Sequence, residues 1–168
     1  RSLSEDAYPA PDVVVWEWDP AAKASVPVDY RASDADAAIA VRLARDLFEL
    51  DPKSLDHRHL YLTALLDAAK YRGGLDQPLA KGPGTAYATA AEFGVEALDD
   101  ELLFAMATGH AAAATAAAEI LGDIGSAALL SPPHGGLSPL GDALRHENRR
   151  LRYAALMAVL KFQPTESF

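Results

Sequence analysis

Apolar residues recur at helical spacing through most of the chain and crowd into short extended runs only near its start. Val13-Val14-Val15-Trp16-Glu17-Trp18 and Ala24 to Val28 flank Asp19-Pro20-Ala21-Ala22-Lys23 and read as a strand, a turn and a second short strand. An isolated hairpin is marginal in water, so Trp16 and Trp18 are expected to lean on the helices, or one of them to be an exposed binding aromatic. From Ala38 to Leu50, Ile39, Leu43, Leu47 and Leu50 fall on one stripe of a helix that Asp51-Pro52 ends. Ser33 followed by Asp36 resembles a capping box at its start. Ser54 is placed to cap the next helix, where Leu55, His59, Leu62, Leu66 and Ala69 share one face and Gly73-Gly74 stops the run.

Two stretches toward the end, Asp99 to Gly125 and Ser138 to Pro164, each read as a helix pair and superpose at a spacing of roughly 38–39 residues, close to the unit length of two-helix solenoid repeats. In the first, Leu102-Leu103-Phe104-Ala105-Met106 supplies one helix and Ala111 to Leu121 the other. In the second, Ser138 to His146 is followed by Glu147-Asn148-Arg149-Arg150-Leu151-Arg152-Tyr153-Ala154-Ala155 and on to Leu160. Small side chains at Ala116, Ala117, Ala154 and Ala155 let neighbouring helices approach closely. The chain divides accordingly into a lead-in over 1–11, a hairpin and linker over 12–32, a helical hairpin over 33–74, a loop over 75–84, and two repeats over 85–168 packed with that hairpin as one domain.

The second unit resembles a HEAT repeat, a family whose second helix opens with an acidic residue or Asn, then a hydrophobic-Arg pair, then consecutive small residues. The run Ile120-Leu121-Gly122-Asp123-Ile124-Gly125 closing the first unit is similar to that family as well. His146 stands where the family has an Asp ahead of the Arg of the second helix, and the first unit has Ala in place of that Arg. Ala38 to Leu50 with Asp51-Pro52 is similar to the end of a tetratricopeptide helix. Together these segments resemble the mixed helical-repeat regions of larger bacterial proteins, planctomycete ones among them, over residues 12–168. The resemblance implies an all-α, helical-repeat (HEAT/tetratricopeptide-like) α-α superhelix with a small N-terminal β-hairpin, and a role in binding proteins.

Composition narrows the classes. A chain of 168 residues buries roughly 70% of its unfolded surface in one domain. Half of the residues are hydrophobic, which favours a packed helical protein over disorder. The net charge of −9 disfavours nucleic-acid backbones and anionic membranes, since both need clustered Lys and Arg. Arg145, Arg149, Arg150 and Arg152 form the one basic cluster; on a helix, positions 145, 149 and 152 lie near one face and suit an acidic partner, or else simply a solvated repeat edge. With no cysteine there is no disulfide and no thiolate metal site. No apolar run approaches the length of a membrane span and no signal peptide is recognisable. Because the chain begins at Arg1 rather than Met, it is expected to belong to a longer protein, which leaves its compartment open.

Several fragments imitate catalytic motifs. His57 and His59 point about 200° apart on a helix and cannot clasp one metal ion. His134-Gly135-Gly136 has the look of an esterase oxyanion loop, but no G-x-S-x-G elbow accompanies it. Lys81-Gly82-Pro83-Gly84-Thr85 lacks the spacing of a phosphate loop and reads as a helix start capped by Thr85. Asp99-Asp100-Glu101 and Asp34/Asp36 fit helix starts, where carboxylates complement the macrodipole.

The reading is therefore a non-catalytic scaffold with no cofactor and no metal, whose partner is another protein or a flanking domain of the same chain. Arg145, Arg149, Arg152, Trp16 and Trp18 are the candidate contact residues. A purely structural spacer and a hydrolase using His57, His59, His110 or His134 with nearby carboxylates are the alternatives. The helix from Leu151 to Phe162 carries Leu156, Met157, Val159, Leu160 and Phe162 around much of its circumference, so it is expected to be covered by further chain, by self-association or by Phe168 folding back.

Overall fold

Near the start of the chain, β-branched and aromatic residues suit a pleated ribbon, and β1 (Asp12–Asp19) pairs antiparallel with β2 (Ala24–Arg31). Asp19 shapes the turn: its Oδ1 accepts from the N–H groups of Ala21 at 2.8 Å and Ala22 at 3.1 Å. The structure, a computed structural model, describes residues 12–19, 21–131 and 137–162. The expected lead-in over 1–11, the loop carrying His134 and the fold-back of Phe168 lie outside the described residues.

The ribbon register puts Val14, Trp16 and Trp18 on one face, opposite Asp29, Pro27 and Ser25. The other face, with Val15, Val28 and the buried Tyr30, is the better covered. The tryptophans therefore do not anchor the hairpin: Trp16 is 61% exposed and Trp18 64%. No linker follows β2, which passes directly into α1 (Ala32–Leu50) with Arg31 at the N-cap and no side-chain cap. Ser33 thus lies inside the helix rather than capping it, because extended pairing persists to Arg31.

Seven helices make the described chain mostly helical. The cap of α2 (Leu55–Gly73) is Ser54, whose Oγ accepts from the His57 N–H at 3.3 Å. Thr85 caps α3 (Ala86–Glu92) in the same way through Ala88. Gly94, at φ +83°, turns the chain into α4 (Gly94–Thr108), and Gly109 in the left-handed region ends it. Asp99, Asp100 and Glu101 consequently sit in the body of α4 and not at its start, since the helix begins at Gly94. After α5 (Ala111–Ile124) a 3-10 turn over Ala127–Leu130 leads toward α6 (Pro139–Ala143), which is short, and α7 (Arg149–Lys161).

Helix α5 is the centre of the packing. It meets α4, α2, α3 and α7, while α6 touches α4 and α7, and α1 packs on α2 and the ribbon. Ala113, Ala114, Ala116, Ala117, Ala118, Ile120 and Leu121 are fully buried, as a helix apolar all round must be. Leu62 and Leu66 of α2, Leu98 and Leu102 of α4, Leu140 of α6 and Leu151, Ala155 and Ala158 of α7 complete one core.

The two outermost helices keep apolar side chains in solvent. On the apolar stripe of α1, Leu47 is half-buried while Leu43 is 59% and Leu50 83% exposed. Ala35 and Ala44 are what α1 buries, while Phe48 stacks on Tyr61 at 5.9 Å between ring centres. The reason is positional: among the described residues α1 packs chiefly on α2 and the ribbon, with Phe48 also meeting Phe93 at 5.4 Å between ring centres, so one narrow seam suffices. On α7, Tyr153, Leu156, Met157 and Leu160 are likewise exposed.

Candidate functional site

The loop between α2 and α3 crosses the face formed by α2, α5 and α7, held there by charges. Lys70, 1% exposed, donates from Nζ to Glu119 Oε1 at 2.6 Å and to the Gln77 carbonyl at 2.7 Å. The other oxygen of Glu119 accepts from the Leu79 N–H at 3.3 Å. Arg150 grips Asp76 through two hydrogen bonds of 2.6 and 3.1 Å. Asp123 receives Lys161 and Lys81, each at 2.7 Å, and the Tyr87 hydroxyl at 3.1 Å. Burial pushes the Asp123 carboxyl up, but these hydrogen bonds outweigh it and hold the group below the usual range. Lys70–Glu119 and Asp123–Lys161 thus tie α2 to α5 and α5 to α7.

On either side of this loop a groove opens. The first, of about 910 Å³, runs between the loop and α5 and α7, with Tyr153, Met157, Arg149 and Lys161 among its walls. Most of its charges are already matched by the pairs just described. The second, of about 1010 Å³, lies between the ribbon, α1, α2 and the loop. Trp16 and Trp18 line it from the ribbon, Ile39, Arg42 and Arg45 from α1, and Tyr61 and Arg72 from α2.

The charge of this second groove runs against that of the molecule. Among the described residues, its charged lining residues are Arg42, Arg45, Lys70 and Arg72, with no carboxylate, in a chain of net charge −9. Lys70 is committed to Glu119, and the Arg72 guanidinium lies over the Tyr30 ring at 4.6 Å from its centre. Arg45 makes only loose contacts with Asp46 at 3.6 Å and Glu49 at 3.7 Å, and Arg42 forms no ion pair among the described residues. Two guanidinium groups therefore stand beside two exposed indoles.

The arginines expected on one helix face do not share a helix. Arg145 lies in the turn after α6, whereas Arg149 and Arg152 belong to α7, because Asn148 caps a new helix there by accepting from the Arg150 and Leu151 N–H groups. Arg152 turns back to donate to the carbonyls of His146 and Glu147, each at 2.7 Å. Arg149 stays exposed at the rim of the first groove. The groove arginines Arg42 and Arg45 were not singled out from sequence; their i, i+3 spacing beside Ile39 was the available signal, masked by the acidic residues interleaved on α1.

Of the described histidines, His59 and His110 meet carboxylates, His146 Nδ1 accepts from the Asn148 N–H at 3.1 Å, and His57 Nδ1 is buried with no hydrogen-bond partner among the described residues. His59 Nδ1 lies 3.0 Å from Glu101 Oε2, while Thr63 donates to the other oxygen at 2.7 Å. Glu101 has no exposure at all, and burial raises its pKa against the hydrogen bonds from Thr63 and His59. His110 Nδ1 sits 2.7 Å from Asp67 Oδ2, whose partner oxygen accepts from the Ala113 N–H at 2.7 Å. Asp67 is thereby an N-cap for α5 supplied by α2, since His110 at the cap position makes none. Among the described residues, no histidine lines either groove and no group of three His, Asp or Glu side chains is placed to hold a metal ion. No described helix is long and apolar enough to cross a membrane.

No protein-family model, no curated protein and no solved structure matches the chain.

Proposed function

We propose that this chain is a non-catalytic helical-repeat scaffold that binds another protein, or a flanking domain of its own chain, through the groove between the ribbon, α1 and α2. The observation that carries the reading is the exposure of Trp16 and Trp18, at 61% and 64%, on the wall of that groove. Indoles are costly to leave in water and are enriched where proteins meet, because each supplies a large apolar contact with little entropy to lose. A spacer without partners has no use for two of them on one strand face.

The repeat character is part of the same proposal. Three helical hairpins, α1/α2, α4/α5 and α6/α7, follow one another with α2 against α5 and α5 against α7, the arrangement by which HEAT-like and tetratricopeptide-like arrays grow. The Lys70–Glu119 and Asp123–Lys161 pairs, which join α2 to α5 and α5 to α7, support that reading. The hydrolase alternative draws less support: Glu101 is sealed from solvent and Asp67 is engaged as a helix cap.

Selection of binders from a displayed library of random peptides tests the function. Peptides should emerge whose binding is lost in Trp16→Ala and Trp18→Ala. An empty selection, or binders indifferent to both substitutions, would overturn the reading.

A further inference from the structure

We infer that the occupant of the ribbon–α1–α2 groove is an extended, acidic protein segment with bulky apolar side chains at alternate positions. The inference rests on the binding role proposed above and adds the chemistry of the partner.

Three features converge on this chemistry. Trp16 and Trp18 lie on the same face of β1, separated by one residue, so their attachment points are about 7 Å apart at the rise of an extended strand. An extended segment repeats its same-side residues at that interval, so consecutive apolar side chains at i and i+2 can each meet an indole. The opposite wall supplies charge. Arg42 and Arg45 follow Ile39 along α1 at intervals of one helical turn, and each guanidinium can take a carboxylate with two parallel hydrogen bonds. The loose contacts of Arg45 with Asp46 and Glu49, at 3.6 and 3.7 Å, are easily exchanged for such a pair.

The sign of the groove decides between anions and cations. With no carboxylate among its described lining residues, in a chain of net charge −9, it is a local positive site on a negative molecule. At physiological ionic strength the remote charges are screened beyond about 8 Å, so the nearby guanidinium groups govern a short segment carrying a few carboxylates. A nucleic acid is the less favoured polyanion: its charge extends past the groove, where the rest of the surface repels it and few Lys or Arg replace its counterions.

Intrinsic fluorescence provides the test, because the chain contains two tryptophans and both line the groove. The probes are a synthetic peptide of ten residues alternating Leu with Asp and Glu, its counterparts with Lys and with Ser at the polar positions, and a single-stranded oligothymidylate. The acidic peptide should shift the emission saturably, and weaken at least tenfold when Arg42→Glu and Arg45→Glu are combined. Circular dichroism verifies that this variant, altered only at exposed positions, keeps its fold. Equal affinity for the Lys or Ser peptide, or an unchanged affinity in the arginine variant, would overturn the acidic partner while leaving a binding groove in place. Tighter binding of the oligonucleotide would replace the protein segment by a nucleic acid. No response to any probe, together with an empty library selection, would remove the groove itself as a binding site.

Discussion

Gly122 of α5 faces Ala158 of α7 with no space for a side chain between them: a Cβ at position 122 would lie 2.8 Å from the Ala158 Cα and 2.9 Å from its Cβ. Two effects oppose one another if Gly122 becomes Ala. Helix propensity favours the substitution by about 1 kcal/mol, whereas overpacking against backbone costs about 1–3 kcal/mol. The steric term wins because the backbone of α7 must move, not merely the tip of a flexible side chain. Gly122→Ala should therefore lower the thermal midpoint by several degrees, at about 2–4 °C per kcal/mol for a chain of this size. Adding Ala158→Gly should restore only part of the loss, since the Cα remains in the way; full recovery would place the clash elsewhere.

Ala155 occupies the same seam with no exposed surface. Ala155→Asp would bury an unpaired carboxylate, and about 3–5 kcal/mol of stability should be lost. Urea denaturation is the check, and a midpoint equal to that of the parent would contradict this packing of α7.

Removing the Lys70 ammonium isolates its partners. In Lys70→Met the stem still fills its place, but the Gln77 carbonyl and Glu119 lose their donor. About 2–4 kcal/mol should be lost, less than for a wholly buried pair because Glu119 keeps a quarter of its side-chain surface in water. The specific sign is faster amide exchange at Leu79, whose N–H is held by the same carboxylate. If exchange there is unaltered while stability falls, Lys70 does not hold the loop.

Burial and then the neighbouring charge of Asp100 push the Asp99 carboxyl up to about 6 from an ordinary 3.8, and its Oδ1 is buried with no hydrogen-bond partner. The folded state thus holds a proton that the unfolded chain has released, so ionisation of Asp99 erodes stability as pH rises from about 4 through 6. Glu101, raised chiefly by burial, acts in the same direction. Asp76, held low by its hydrogen bond from Arg150, and Asp123, held low against burial by Lys161 and Lys81, contribute oppositely, and only as pH falls below about 4. Asp99→Ala should flatten the stability profile between pH 4 and 6 and raise stability at pH 7 by about 1 kcal/mol, the low end for an unsatisfied polar group because the side chain is only half-buried. Thermal midpoints across that pH range decide it, and a profile parallel to the parent's would refute the account.

Much of the local structure was written into the chain. Ser54, Thr85 and Asn148 announce helix starts because a short polar side chain beside free backbone N–H groups needs no distant partner. The alanine-rich run from Ala111 specifies a buried central helix, as only small side chains let neighbours close in on every side. The β-branched and aromatic runs around Asp19 likewise define the ribbon. Tertiary structure decided which apolar residues are covered. Leu43 and Leu50 lie on a stripe of helical period, yet they are exposed because, among the described residues, no element packs closely over that side of α1. It also decided that Asp67 caps a helix in which it does not reside, and that Arg42 and Arg45 share a groove with Trp16 and Trp18. Those relationships join residues far apart along the chain, where periodicity and capping rules carry no information, and they come into being only once the hairpins stack.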